Sequence, residues 1–353
     1  MIKNINFGSI THLCFLGGTP LMADLINEAK DSFTITVITS KRFLNDLTRS
    51  NKLFSMFFEE LDISYIVTDN IDENSNLVPT TLNTLAVCVS ASWVFPKNFI
   101  DKFGGRFINI HRSYLPEFRG CASISWMFMQ GRFESGYTFH LMTPKMDAGS
   151  VLICGKVFFQ DGIPTMGKAY ADLEKEIVIK FKGFISSIKR RETFKLIEQN
   201  EEASTYFPRL NQKIHAYINW LWSGSEIQKF IQAFSDPFGG GKTFLNGDDI
   251  LIFIKEAGLI ISKAEFHPFQ YGIVCRKFND ELYIIVKGGM LKLKAVFSEY
   301  GVNITSEIKI GDRFHTPIKM LDRALMTRVR FDSDGNFSSD KVLDRSRNYN
   351  GEK

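Results

Sequence analysis

The feature that most restricts what this chain can fold into is an alternation of short β-rich runs with helical stretches through residues 1–205. "THLCFL" is followed by "GGTP" and the helical "LMADLINEAK"; "FTITVIT" precedes "LFSMFFEELD", whose apolar residues recur at helical spacing. "ISYIV", "TLAVCVSA" and "RFINIH" are further strands, and the middle one is apolar throughout, as a strand covered on both faces must be. This βαβ rhythm predicts an α/β fold, a Rossmann-like, mostly parallel twisted sheet flanked by helices. Sites in such sheets form beyond the carboxyl ends of strands.

"GYTFHLM" and "VLICGKVFF" read as two more strands around the loop "TPKMDAGS", ahead of a long amphipathic helix, "KAYADLEKEIVIKFKGFISSIKR". The polar stretch "EQNEEASTYFPRL" reads as a linker. Beyond it, "SGSEIQKFIQAF" predicts a short helix capped by Ser223 or Ser225 and stopped before Pro237. "KTFLNGDDILIFIKEA" places an Asn-Gly turn between two β-runs, and "YGIVCRKFNDELYIIVKGGMLKLKAVF" reads as a meander. The expected organisation is therefore a domain over 1–205, a linker helix and smaller mainly-β, OB-like barrel over 206–330, and a polar tail over 331–353.

Hydrophobic and charged contents of 44% and 23% belong to a globular protein, and no apolar run is long enough to span a membrane. The N-terminus reads as a first strand, not a signal peptide. Five scattered cysteines (14, 88, 121, 154 and 275) lack CxxC spacing, which points to reduced thiols in the cytoplasm and to no metal. A net charge of +4 suits an anionic substrate but is too weak, without a clustered basic face, to argue for nucleic acid.

The stretch "FINIHRSYLPEFRG" carries Asn109 and His111 out of a strand into a loop. An imidazole can take up a proton near neutrality, an Asn amide can donate to a developing oxyanion, and a carboxylate such as Asp147 can orient the imidazole. Those are the needs of acyl transfer to an amine. Taken alone, an Asn-x-His pair at a strand end is more often a satisfied polar pair than a catalytic one. No G-x-S-x-G nucleophile occurs, so direct transfer is easier to argue than a covalent enzyme intermediate.

"INIHRSYLPEFRG" resembles the Asn-x-His…Leu-Pro-x-x-Arg-Gly motif of the folate-dependent formyltransferases, and "MTPKMDAG" (142–149) is similar to their Met-x-x-x-x-Asp-x-Gly loop. The resemblance implies catalytic roles for Asn109, His111 and Asp147, N10-formyltetrahydrofolate as formyl donor, and a primary amine as acceptor. "WVFPKNFI" resembles the segment whose backbone lines the folate pocket. That implies donor contacts at Ser92, Trp93, Val94 and Phe95, joined by Met142, Thr143 and Met146. "GDRFHTP" (311–317) is similar to the end of the barrel appended to longer members. The chain departs from many members at Thr143, where an acidic residue is frequent.

Acceptor contacts are expected at Gly17, Gly18 and Thr19, where the strand–Gly-Gly–helix junction could present N–H groups to a phosphate, and at Tyr114, Arg119 and Gly120. The basic stretch 40–52 follows the second strand, where a sheet-end site could receive an anionic nucleotide. His140, alternating with apolar neighbours, reads as buried and structural. Methionyl-tRNA formyltransferases usually carry a basic insertion after the second strand and Arg-Gly-Ala-Ala-Pro where this chain has "RGCASISW". The resemblance is closer to the sugar N-formyltransferases, and implies a nucleotide-linked amino sugar destined for surface glycan (O-antigen, lipopolysaccharide). Initiator tRNA and a hydrolase of the folate donor are the other enzymatic readings. A non-catalytic nucleic-acid or glycan-binding protein is the reading from another class. A homodimer through the β-rich region is compatible with the sequence.

Overall fold

The computed structural model describes residues 3–72, 76–159, 165–331 and 337–341. A seven-stranded sheet forms the centre of the N-terminal part. Its strands are β1 (His12–Gly17), β2 (Thr34–Thr39), β3 (Ser64–Val67), β4 (Thr84–Val89), β5 (Phe107–His111), β6 (Glu134–Leu141) and β7 (Val151–Phe158). The spatial order is β3-β2-β1-β4-β5-β6-β7. The first five run parallel, whereas β6 is antiparallel to β5 and to β7. The mixed sheet with flanking helices agrees with the expected Rossmann-like fold.

Central β4 is buried at every position, which accounts for its unbroken apolar sequence. One face of the sheet is covered by α1 (Pro20–Ala29) and α5 (Met166–Lys189), which pack together. Helix α5 buries Met166, Ala169, Leu173, Ile177, Phe181, Phe184 and Ile188 at steps of three and four residues. Phe15 and Phe139 from the sheet meet Phe181 in this layer, and each fully buried phenyl stabilises by ~1.5–3 kcal/mol. A second cluster of Phe95, Phe99, Phe103 and Phe107 lies under the β4–β5 end, with Trp93 and Met142 packed on it.

Strand order changes direction at β1: chain continuation goes to β2 on one side and, later, to β4 on the other. Such a switch point opens a crevice at the carboxyl ends of the strands. Arg112, just past β5, spans it by donating to Ser90 Oγ (2.7 Å) and Thr19 Oγ1 (3.2 Å). The same guanidinium pairs with Glu174 of α5 at 2.7 Å, so a buried carboxylate anchors the rim to the helix beneath.

The expected linker is more than a spacer. Tyr206–Phe207 pairs in parallel with Arg119–Gly120, and Lys3–Ile5 pairs with Phe194–Leu196. Helix α6 (Gly224–Ala233) starts at Ser223 with a capping box closed by Glu226, and packs on α4 (Ser123–Met129). The β-rich region forms two four-stranded antiparallel sheets among the described residues. The Asn246–Gly247 turn joins Gly241–Leu245 to Ile250–Ile254 as expected. At the start of the polar tail, Thr327–Phe331 pairs antiparallel with Phe337–Lys341. Residues 332–336 and 342–353 lie outside the described part. Among the described residues no helix is long and apolar enough to cross a membrane.

Candidate active site

Period-two geometry puts Asn109 and His111 on one face of β5. Antiparallel pairing sets His140 of β6 directly opposite Asn109. The loop after β6 then returns Asp147 to the same place, with a positive φ of 50° at Asp147. The turn is completed by Gly149, where a Cβ would lie 1.7 Å from Leu141 O. No side chain fits there, which explains the glycine two residues after the aspartate.

Asp147 is the hub. Its Oδ1 accepts from Asn109 Nδ2 at 3.2 Å and lies 3.7 Å from His111 Nδ1 and 3.6 Å from His140 Nε2. Its Oδ2 accepts from the Gly120 N–H at 2.8 Å. Burial alone pushes the carboxyl's pKa up, but His111, His140 and the Gly120 N–H together hold it well below the usual carboxylate range. The group is therefore a carboxylate at neutral pH.

Hydrogen-bond partners assign the imidazole tautomers. His111 Nε2 faces Phe118 O at 2.9 Å, and a carbonyl only accepts, so Nε2 carries hydrogen. The nitrogen left to take up a proton is Nδ1, the one turned to Asp147. His140 Nδ1 faces Leu141 O at 2.9 Å and likewise carries hydrogen, leaving Nε2 to accept from Asn109 Nδ2 at 3.1 Å. Both hydrogens of the Asn109 amide are thus committed, one to His140 and one to Asp147. Donation to a third oxygen must draw on the longer bond, that to Asp147.

The other expected positions divide. Trp93 and Met142 sit together on the Phe95 cluster, and the Trp93 indole N–H is buried without a hydrogen-bond partner. Val94 is exposed beside it, Ser92 Oγ is 3.3 Å from Ser40 Oγ, and Thr143 Oγ1 donates to Lys145 O. Met146 is half-buried on the Asp147 loop. Gly17 and Gly18 are dictated by contact: a Cβ would meet Val89 O at 2.1 Å and the Phe43 ring at 2.2 Å. The Gly18 N–H is taken by Val89 O at 3.1 Å, so it is not held out to a phosphate as expected; Thr19 Oγ1 accepts from Arg112. Tyr114 packs beside Gly136, Cys154 and Lys156 on β6 and β7.

Arg119 is buried, and its guanidinium is engaged by Gln199 Oε1 and the Glu201 carboxylate. Gln199 Nε2 in turn donates to Asp147 O and Gly149 O, both at 2.8 Å. Arg119, Gln199 and Glu201 therefore brace the loop that carries Asp147. Gly120 is a glycine because a Cβ would lie 2.3 Å from Phe207 O.

Two contributors escape sequence reading. His140 reads as structural because its neighbours in β6 are apolar, yet it touches Asn109 and faces Asp147. Gln199 sits in a polar stretch without periodicity. No local signal marked either: His140 meets Asn109 only through the register of β5 against β6, and Gln199 lies in an aperiodic stretch.

A buried carboxylate held by an amide and a backbone N–H and faced by two imidazoles, on a doubly wound sheet, defines an α/β enzyme equipped to move a proton beside an electrophile. A family model described as formyl transferase matches residues 13–181. The methionyl-tRNA formyltransferase of Clostridium perfringens is 30% identical over 260 residues, covering 69% of this chain and 77% of that protein. The chain belongs to the formyltransferase family. The bifunctional polymyxin resistance protein ArnA of Wigglesworthia glossinidia brevipalpis is 27% identical over 58% of this chain and 29% of its own length. Among solved structures, the sugar 3N-formyltransferase WlaRD, described with dTDP and 5-N-formyl-tetrahydrofolate, shares the fold with a TM-score of 0.60 at 19% identity, covering 84% of this chain and all of that one. The Helicobacter canadensis N-formyltransferase, described in complex with folinic acid and dTDP-3-aminofucose, has a TM-score of 0.59 at 19% identity, over 80% of this chain and 98% of that one.

Proposed function

We propose that this formyl-transferring enzyme moves the formyl group of N10-formyltetrahydrofolate to the primary amine of a nucleotide-linked amino sugar made for surface glycan such as O-antigen lipopolysaccharide. The observation that carries the reading is Asp147, kept ionised while buried against His111, Asn109 and the Gly120 N–H.

The amine nitrogen attacks the formyl carbon, and a new C–N bond forms as the carbonyl becomes an oxyanion. His111 takes the amine proton at Nδ1, where the Asp147 carboxylate stabilises the imidazolium. As that charge pair forms, the Asn109 hydrogen now on Asp147 is released toward the oxyanion. The bond from carbon to N10 then breaks, and the proton passes to N10 of tetrahydrofolate. His140 keeps the Asn109 amide oriented throughout.

Trp93, with its unpartnered buried N–H beside Met142 and Val94, suits a flat heterocycle carrying acceptor atoms, so Ser92–Phe95 and Met142–Met146 are assigned to the donor. Gly17–Thr19, Tyr114, Arg119 and Gly120 are assigned to the acceptor side, with Arg119 acting through the loop it braces. Residues 1–205 form the catalytic domain in this reading, 206–330 an OB-like module serving a homodimer, and the enzyme works in the cytoplasm.

The nucleotide-sugar acceptor is supported by the two structural neighbours described with dTDP or a dTDP-sugar, and by the short basic segment after β2. Initiator tRNA is the second reading, favoured by the named activity of the Clostridium relative. With an active donor–acceptor pair, Asp147→Asn and His111→Ala are expected to lower kcat by about a hundredfold or more while the proteins stay folded. Wild-type turnover in either variant contradicts the assignment.

A further inference from the structure

Arg112 stands one residue beyond the imidazole that takes up the amine proton, and it ties that position to three other parts of the fold. Nη1 donates to Ser90 Oγ at 2.7 Å, just past β4, and Nη2 donates to Thr19 Oγ1 at 3.2 Å, in the Gly-Gly turn before α1. Nη2 also pairs with Glu174 Oε1 of α5 at 2.7 Å. The main chain is pinned as well, because the Ser123 hydroxyl at the start of α4 donates to Arg112 O at 2.7 Å. None of these contacts takes part in the proton chemistry itself.

Both hydroxyl partners have a backbone that side chains rarely adopt. Thr19 is β-branched and has a φ of 86°, and Ser90 has a φ of 55°. A strained residue persists only where its surroundings hold it, and strain collected at a crevice marks a place where position counts for more than stability. A guanidinium is suited to that hold, since it presents its donors in a fixed planar fork to acceptors on several elements. Its Nε is buried and finds no partner among the described residues, so the arrangement is kept at a cost in hydrogen bonding.

Arg112 also lies between two donors to one carbonyl. His111 Nε2 and Ser113 Oγ both point at Phe118 O, at 2.9 Å and 3.2 Å, and Phe118 has a φ of 56°. That carbonyl keeps hydrogen on Nε2 and leaves Nδ1 turned to Asp147. A shift of the Arg112 backbone carries both donors off Phe118 O, and the imidazole is then free to exchange tautomers.

We infer that Arg112 is a positioning residue: by bridging Ser90, Thr19 and Glu174 it holds His111 on Phe118 O, and so keeps Nδ1 as the nitrogen that accepts the amine proton. This rests on the proton-acceptor role given to His111 and is independent of which amine is formylated. Thr19 belongs to the acceptor side, so one guanidinium joins the turn assigned to the acceptor to the residue that deprotonates it.

Long-range proton–nitrogen NMR spectra of the full chain, with its histidines isotope-labelled, read the tautomer without any substrate; His111 is assigned by the signal lost in His111→Gln. At about pH 8, above the ordinary imidazole range, wild type is expected to show a fixed Nε2–H tautomer at His111. Arg112→Gln should show averaged ring signals and, with whichever amine wild type formylates, a kcat lower by about tenfold at an unchanged donor KM. Ser90→Gly relieves the backbone strain and keeps the pair with Glu174; it should move the ring signals the same way and lower kcat by roughly threefold. It decides the matter alone if Arg112→Gln does not fold. Arg112→Lys should recover only part of the loss, since a point donor cannot reach all three acceptors. A fixed Nε2–H tautomer in the variants, even beside a lowered thermal transition, overturns the inference, as does a wild type without that tautomer. Averaged ring signals in a variant that keeps wild-type kcat leave the positioning standing and remove His111 from the proton step.

Discussion

A carboxylate taken out of water keeps its charge only where partners replace the lost solvation, and Asp147 accepts from the Asn109 amide and the Gly120 N–H while His111 and His140 face it. Its folded pKa lies below the unfolded value, so the stability its charge supplies is present above the ordinary carboxylate range and lost as pH falls through it. Any inflection of rate above about pH 5, beyond the ordinary carboxylate range, therefore belongs to another group. His140 does not meet the reaction in this account; it positions Asn109. Replacing it by Ala strands one Asn109 hydrogen in a buried place, and kcat should fall by roughly ten- to a hundredfold with little change in the KM of the donor. His140→Gln, which can still accept from Asn109, should restore part of the rate. Equal kcat for wild type and His140→Ala in steady-state assays contradicts the role. Asn109, His111 and Asp147 were legible only through the resemblance of their two motifs to the formyltransferases, because an Asn-x-His pair on its own reads as a satisfied strand end. The sequence could not show His140, because its importance lies in facing Asn109 across two strands, a relation that exists only once the register is set.

At the scale of elements, the site depends on a brace joining three separate segments. Arg119 follows the Asn-x-His motif, Gln199 and Glu201 come from the segment before Tyr206–Phe207, and the loop they hold carries Asp147. Gln199→Met fills the same space but leaves Asp147 O and Gly149 O without their donor. That should cost ~1–3 kcal/mol of stability and lower turnover through a looser Asp147. Thermal denaturation together with kcat checks this, and a variant matching wild type in both contradicts the brace. Polar composition hid this segment. A run such as "EQNEEAS" has neither period two nor period 3.6, so nothing local separates a solvated linker from a clamp on the Asp147 loop. By contrast, the strands and α5 were readable, since burial against one layer imposes a period on the residues themselves.

Across the whole molecule, the seven-stranded sheet puts Trp93 and Met142 on the Phe95 cluster and Gly17–Thr19 at the switch point, the two groups that the proposed function gives to donor and acceptor. The C-terminal region is tied to this body through α4 and α6 and through the Trp126 indole, which donates to Pro208 O at 2.9 Å. The alternation of elements made the sheet and its strand-end site foreseeable. The pairing of the later strands into two sheets was not, because short antiparallel strands carry no mark of which neighbour they choose. The most direct measurement supplies the wild-type chain with N10-formyltetrahydrofolate and a panel of nucleotide-linked amino sugars alongside methionine-charged initiator tRNA, and follows product mass. Formylation of at least one nucleotide-linked amino sugar, with the charged tRNA left unmodified, is the predicted result; formylation of the tRNA alone, or of nothing in the panel, contradicts it.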